Sequence, residues 1–117
     1  MSLFHQGKLT GDWLEAETKD GEFVRLDSVF RNWVTADGSP GPTGKGGFKA
    51  EPGRYHLYVS YACPWAHRTL LFRKLKKLEN IISLSVVHPE MGAESWRFDK
   101  QFPAATEDHI NHFSYLH

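Results

Sequence analysis

The stretch Tyr55-His56-Leu57-Tyr58-Val59-Ser60-Tyr61-Ala62-Cys63-Pro64-Trp65-Ala66-His67-Arg68 decides the fold. Its first half is aromatic and β-branched, which predicts a strand over Arg54–Ser60. Its second half opens a segment of helical period, with Leu71, Leu75 and Leu78 at i, i+4 and i+7, which predicts a helix over Pro64–Glu79. Pro64 suits the first helical position, because its φ is preset and its missing N–H would have no intrahelical partner there. Arg73, Lys74, Lys76 and Lys77 fall at the far end, where cations complement the dipole, and read as a solvated face rather than a nucleic-acid patch.

Cys63, the single cysteine, therefore stands where a strand hands over to a helix. A thiol at a helix N-terminus lies near the positive end of the dipole and the free first-turn amides, a setting that favours the nucleophilic thiolate. The alternative is a small inert residue packed with Ala62 and Trp65. A Cys-x-x-Cys pair would resolve its own mixed disulfide, but Ala66 holds the second place. A redox cycle here needs an outside thiol. His67 follows Cys63 by four residues, on the same helical face, and is a candidate to support the thiolate. One Cys and one His do not make a metal site, and His109 and His112 share helical spacing without further ligands, so they read as surface residues and no metal is expected.

Downstream, Ile81–His88 is mostly apolar and reads as a second strand buried on both faces. Strand, helix and strand with short joints predict a right-handed βαβ unit with a parallel pair. Loop-like residues follow, and then Trp96-Arg97-Phe98. A Trp beside an Arg at such an edge can stack on a ligand and pair a carboxylate. Alternatively Trp96 and Phe98 simply anchor the loop to the core, and spacing does not choose between these.

Upstream, residues 1–36 mix Trp13, Phe23, Phe30 and Trp33 with acidic residues and show no sustained period. Phe23-Val24-Arg25-Leu26 is a candidate short strand and Ser28–Trp33 a single turn. The aromatics point to an extended arm pinned to a neighbouring surface, not a free tail. Residues 37–53 hold six of the ten glycines and three of the six prolines, and read as a loop. Gly44-Lys45 evokes a phosphate-binding loop, but Ser39 and Gly46 stand where that motif needs Gly and Ser or Thr.

At 117 residues, with 14 basic and 14 acidic side chains, the chain holds at most one domain and projects no global field toward nucleic acid or membrane. One cysteine fits a reducing compartment, and the N-terminus lacks a signal-peptide core, so the expected location is cytoplasmic.

Three segments together closely resemble one family. They are Phe30-Arg31-Asn32-Trp33-Val34-Thr35-Ala36-Asp37-Gly38, Gly41-Pro42-Thr43-Gly44 with Gly46-Gly47-Phe48, and the strand-to-helix stretch quoted first. The likeness continues through Ser85-Val86-Val87-His88-Pro89 and Trp96-Arg97-Phe98. The family is the glutathionyl-hydroquinone reductases, the xi class of glutathione transferases. It implies an α/β fold: a thioredoxin-like βαβ half-domain over residues 54–117, preceded by an extended aromatic and Gly-rich arm over residues 1–53. It also implies a homodimer, and glutathione as a co-substrate with no bound cofactor. By this resemblance Cys63 attacks the sulfur of a glutathionyl-hydroquinone, and a second glutathione resolves the mixed disulfide. Trp96, Pro64 and Arg97 are then glutathione contacts. The family's chains are far longer, so this chain is expected to be an N-terminal portion, without the all-helical domain and inactive alone. Two alternatives stay open: an omega-like thioltransferase or dehydroascorbate reductase, and a non-catalytic fragment.

Overall fold

The computed structural model describes residues 30–116 and, upstream of them, residues 4–5, 8–9, 18–19 and 21–23. Trp13, residues 24–26 of the expected Phe23–Leu26 strand, and Ser28 and Val29 lie outside the described residues. The chain divides into two compact units, residues 1–50 and 51–117.

In the first unit, β1 (Phe4–His5) pairs antiparallel with β2 (Lys8–Leu9), and β3 (Thr18–Lys19) with β4 (Glu22–Phe23). Next, β5 (Trp33–Thr35) pairs in parallel with β6 (Gly47–Lys49), so Trp33 sits in a strand, not in a turn. The Gly-rich stretch accordingly contains a strand as well as a loop. Two glycines explain how. A Cβ on Gly41 would lie 2.2 Å from Cγ of Trp33, and one on Gly47 would lie 2.1 Å from the Ser39 carbonyl oxygen. Glycine at these places lets the connection fold tightly against the strand it follows. The indole N–H of Trp33 donates to the Thr43 hydroxyl at 3.1 Å, which fixes the loop to β5.

The second unit carries β7 (Tyr55–Val59), α1 (Pro64–Leu75) and β8 (Ile82–Val86). The strands are parallel, in register from Tyr55 opposite Ile82 to Val59 opposite Val86, as the βαβ reading requires. Helix α1 ends four residues before Glu79. Lys77 takes the left-handed conformation (φ 55°), its N–H donates to the Lys74 carbonyl, and the Leu78 N–H reaches back to the Arg73 carbonyl at 2.9 Å. This closes the helix as a Schellman motif with lysine where glycine is usual, so no sequence signal marks the end. The helix is also rotated from the expected face. Leu71 and Leu75 are 47% and 71% exposed, whereas Ala66, Leu70 and Arg73 are half-buried. Arg73 is no solvated cation. Its guanidinium donates to the carbonyls of Ile82 (2.9 Å) and Glu79 (3.1 Å), tying the helix end to the start of β8.

Strand β8 is two-faced, contrary to the expectation of an apolar strand buried on both sides. Its alternation places Ser83 and Ser85 on one face, beside His56 and Tyr58 of β7. Nδ1 of His56 meets the Ser83 hydroxyl at 2.6 Å and Nε2 meets the Ser85 hydroxyl at 2.8 Å. The fully buried Ser85 hydroxyl also contacts Nδ1 of His109 at 2.7 Å and accepts the His109 amide at 3.3 Å. His109 is exposed, as expected of a surface residue, and also makes a structural contact. It belongs to residues 105–116, a strap without helix, which is also fastened at Thr106. There the amide donates to the Val86 carbonyl at 2.8 Å and the hydroxyl accepts the Val86 amide at 2.9 Å. Among the described residues the buried apolar core is Val59, Val86 and Val87.

Burial, and secondly the charge of His109, push His56 below its ordinary 6.5, with Asp108 opposing. A histidine with a depressed folded pKa binds fewer protons folded than unfolded, so its contribution is intact above pH 6.5 and lost as pH falls below it. The melting temperature should thus decline on acidification from pH 6.5, and His56→Asn should flatten that decline. Superimposable pH profiles for the two proteins would refute this role for His56.

Candidate functional site

Parallel strands β7 and β8 end together at Val59 and Val86, so the segments after them emerge at one carboxyl edge, where open α/β sheets place ligands. Cys63 follows β7 there. Its backbone is extended (φ −90°, ψ 116°), and it occupies the cap position of α1 with Pro64 next in the helix. The Cys63 N–H donates to the Ser60 carbonyl at 3.1 Å, and its own carbonyl accepts the His67 N–H at 3.0 Å. The buried Ser60 hydroxyl accepts the Ala62 N–H at 3.2 Å and so braces the same turn. The thiol makes no capping hydrogen bond to the helix and is half-buried. Trp65 is 63% exposed, with the Arg68 guanidinium 5.6 Å from its ring centroid, so the reading of Cys63 as packed with a buried Trp65 does not hold. His67 is exposed, and among the described residues its ring makes no hydrogen bond or ion pair.

The second part of the edge comes from β8. After Val86 the chain continues through Val87, whose N–H donates to the Val59 carbonyl at 2.9 Å, to buried His88. The His88 N–H donates to the Arg97 carbonyl at 2.9 Å, its Nδ1 accepts the Glu90 N–H at 3.1 Å, and its ring packs edge-on against Phe102 at 4.3 Å. Gly92 and Ser95 exchange two backbone hydrogen bonds, closing a tight loop that delivers Trp96 and Arg97. Both are half-buried, and Arg97 forms no ion pair among the described residues. On their other side, the Phe98 N–H donates to the Ser114 carbonyl and the Leu116 N–H to the Trp96 carbonyl, each at 2.9 Å.

Cys63, Pro64, Trp96 and Arg97 thus belong to the two segments leaving the carboxyl ends of paired strands, while the His67 ring points to solvent. Sequence reasoning missed Ser60 and His88, which shape those segments. The only local signal was Ser60 three residues before Cys63. Among the described residues no group of three or more His, Cys, Asp and Glu side chains is placed to hold a metal, and no helix is long and apolar enough to cross a membrane.

No family model matches the chain. Among curated proteins it is 58% identical over 105 residues to glutathionyl-hydroquinone reductase YqjG of Escherichia coli (strain K12), a match covering 90% of this chain and 32% of that protein. It is 51% identical over 90 residues to glutathione S-transferase omega-like 2 of Schizosaccharomyces pombe, covering 77% of this chain and 26% of that one. The glutathione-bound structure of YqjG, a glutathione transferase homolog from Escherichia coli K-12, superposes with a TM-score of 0.70 at 64% identity, over 74% of this chain and 28% of that one. The glutathione-S-transferase Xi from Phanerochaete chrysosporium superposes with a TM-score of 0.67 at 48% identity, over 80% and 29%. The chain spans between a quarter and a third of the length of these curated relatives.

Proposed function

We propose, for a chain homologous over part of their length to the glutathionyl-hydroquinone reductases, the xi class of glutathione transferases, that Cys63 is the nucleophile of a glutathione-dependent reduction of glutathionyl-hydroquinones. The observation that carries this reading is the half-buried, uncapped thiol at the strand-to-helix turn, on the edge that also carries Trp96 and Arg97. In the first step the Cys63 thiolate attacks the glutathione sulfur. The sulfur–carbon bond breaks, its electron pair stays on the ring carbon, and that carbon takes a proton to give the hydroquinone. A mixed disulfide between Cys63 and glutathione remains. In the second step an outside glutathione thiolate attacks this disulfide, releasing glutathione disulfide and restoring the thiolate, which suits a chain without a second cysteine.

Pro64 lines the glutathione pocket, the Trp96 ring packs on the peptide, and the Arg97 guanidinium pairs with one of its carboxylates. His67 serves the thiolate only if its ring turns from solvent. The same reading has the whole protein work as a cytoplasmic homodimer. The match to an omega-like transferase favours a second reading, in which the same thiol reduces small mixed disulfides or dehydroascorbate.

The test is to offer a glutathionylated hydroquinone and a small glutathione mixed disulfide side by side and follow both products by chromatography. Hydroquinone release exceeding disulfide reduction supports the first reading, and the reverse supports the second. In the active protein, Trp96→Ala should raise the KM for glutathione a few-fold, the scale of a ring contact of about 0.5–1.5 kcal/mol, with little change in melting temperature. A large fall in melting temperature with an unchanged glutathione response would make Trp96 an anchor of the loop instead.

A further inference from the structure

Asp108 is 2% exposed and has no cation in contact among the described residues. Its Oδ1 accepts the Tyr58 hydroxyl at 2.7 Å and the N–H groups of Ile110 and Asn111 at 3.0 and 3.1 Å. Its Oδ2 accepts the Phe113 N–H at 3.4 Å. Burial pulls the carboxyl upward, but these donors outweigh it and hold it down at about 2, while burial and the carboxylate push the Tyr58 hydroxyl up to about 12. The carboxylate thus stays ionised, held by hydrogen bonds alone.

What the clasp joins gives it a use. Tyr58 lies on β7, five residues before Cys63. Phe113, at the other end of the clasp, precedes Ser114, whose carbonyl holds the Phe98 amide. Leu116 then holds the Trp96 carbonyl. The Tyr58 ring also meets the Phe98 ring edge-on, with centroids 5.9 Å apart. One tyrosine therefore touches Phe98 directly and reaches the Trp96–Phe98 backbone again through Asp108 and the strap.

We propose that Tyr58 and Asp108 are positioning residues, clasping the Trp96–Arg97 segment to the strand that leads to Cys63 and so setting the affinity for glutathione without contacting it. The proposal rests on the reading above only in taking Trp96 and Arg97 as glutathione contacts.

The test compares Tyr58→Phe, Asp108→Asn and Asp108→Ala, each made in the active protein, with their parent. One readout is ligand-free amide exchange at Phe98 and Leu116, another is glutathione affinity by calorimetry, and the third is the rate of Cys63 alkylation by iodoacetamide. Asp108→Ala should speed exchange at both amides roughly tenfold, the factor set by a loss of 1.4 kcal/mol of local stability, and weaken glutathione binding by a similar factor. Asp108→Asn keeps Oδ1 and should fall between it and the parent. Alkylation should not change, which separates positioning from general loosening of the unit. Should Asp108→Ala fail to fold, Tyr58→Phe, which removes one hydroxyl, carries the test. Unchanged exchange at Phe98 and Leu116, or faster exchange with unchanged affinity, overturns the proposal. A parent protein that does not bind glutathione overturns the functional reading instead, and exchange alone then decides whether the clasp exists.

Discussion

Replacing Cys63 with serine should abolish hydroquinone release and leave the fold intact. The expected loss in the active protein is roughly a thousandfold or more, the scale on which removing a covalent nucleophile acts. Two features make this substitution clean. Serine is close in size, and Cys63 makes no capping bond that would be lost. A serine hydroxyl is moreover a preferred cap for a helix N-terminus, so α1 should be held at least as well as before. The melting temperature should stay the same or rise as activity disappears. Retained turnover in Cys63→Ser would transfer the chemistry to some other group. Loss of turnover accompanied by unfolding would leave the thiol's chemical role unsupported.

The largest effect on stability is expected at Ser85. Its hydroxyl is fully buried and is shared by Nε2 of His56, Nδ1 of His109 and the His109 amide. Ser85→Ala leaves the His56 nitrogen facing a methyl group and loosens the strap that His109 helps to hold. Orphaning a buried polar group costs about 1–3 kcal/mol, and because His56 is half-buried while the exposed His109 can turn to water, a total of about 2 kcal/mol is expected. For a unit of this size each kcal/mol lowers the melting temperature by about 4–8 °C, giving a drop of about ten degrees. Ser83 provides the comparison. It contacts the same ring through Nδ1 at 2.6 Å, but it is exposed, so water can replace its hydroxyl. Ser83→Ala should cost less than about 1 kcal/mol. Equal losses at the two positions would show that the buried histidine–serine chain does not stabilise the unit.

The local features were legible because local chemistry determines them. The aromatic and β-branched run before Ser60 makes β7, Pro64 starts the helix, and the apolar run from Ile82 pairs in parallel with β7. The face and length of α1 were not legible. The leucine period at Leu71, Leu75 and Leu78 is real, but the half-buried side is that of Ala66, Leu70 and Arg73, and an arginine can occupy it only because two carbonyls receive its guanidinium. The helix ends at a left-handed lysine, a place where glycine would have been visible. Strand β6 was hidden because Gly41 before it and Gly47 within it serve close approach to Trp33 and Ser39, while in a one-dimensional reading they signal a loop. Ser83 and Ser85 alternate with apolar residues, a sign of two different faces that the apolar composition of the segment obscured.

The site divides along the same line. The place of Cys63 at the helix cap was legible from its neighbours, because the strand before it and Pro64 after it bracket that position. Trp96 and Arg97 carry no such local signature, and their place follows from pairing with His88 on one side and residues 114–116 on the other. The Tyr58–Asp108 contact joins positions 50 apart in sequence, beyond the reach of any periodicity.

The most direct test of the central claim is peptide-level mass spectrometry of the active protein after exposure to a glutathionylated hydroquinone with no free glutathione present. The account predicts one glutathione in disulfide linkage on Cys63, one equivalent of hydroquinone released per adduct, and removal of the adduct when glutathione is added. Hydroquinone released with Cys63 unmodified, or an adduct formed with no hydroquinone released, would contradict it.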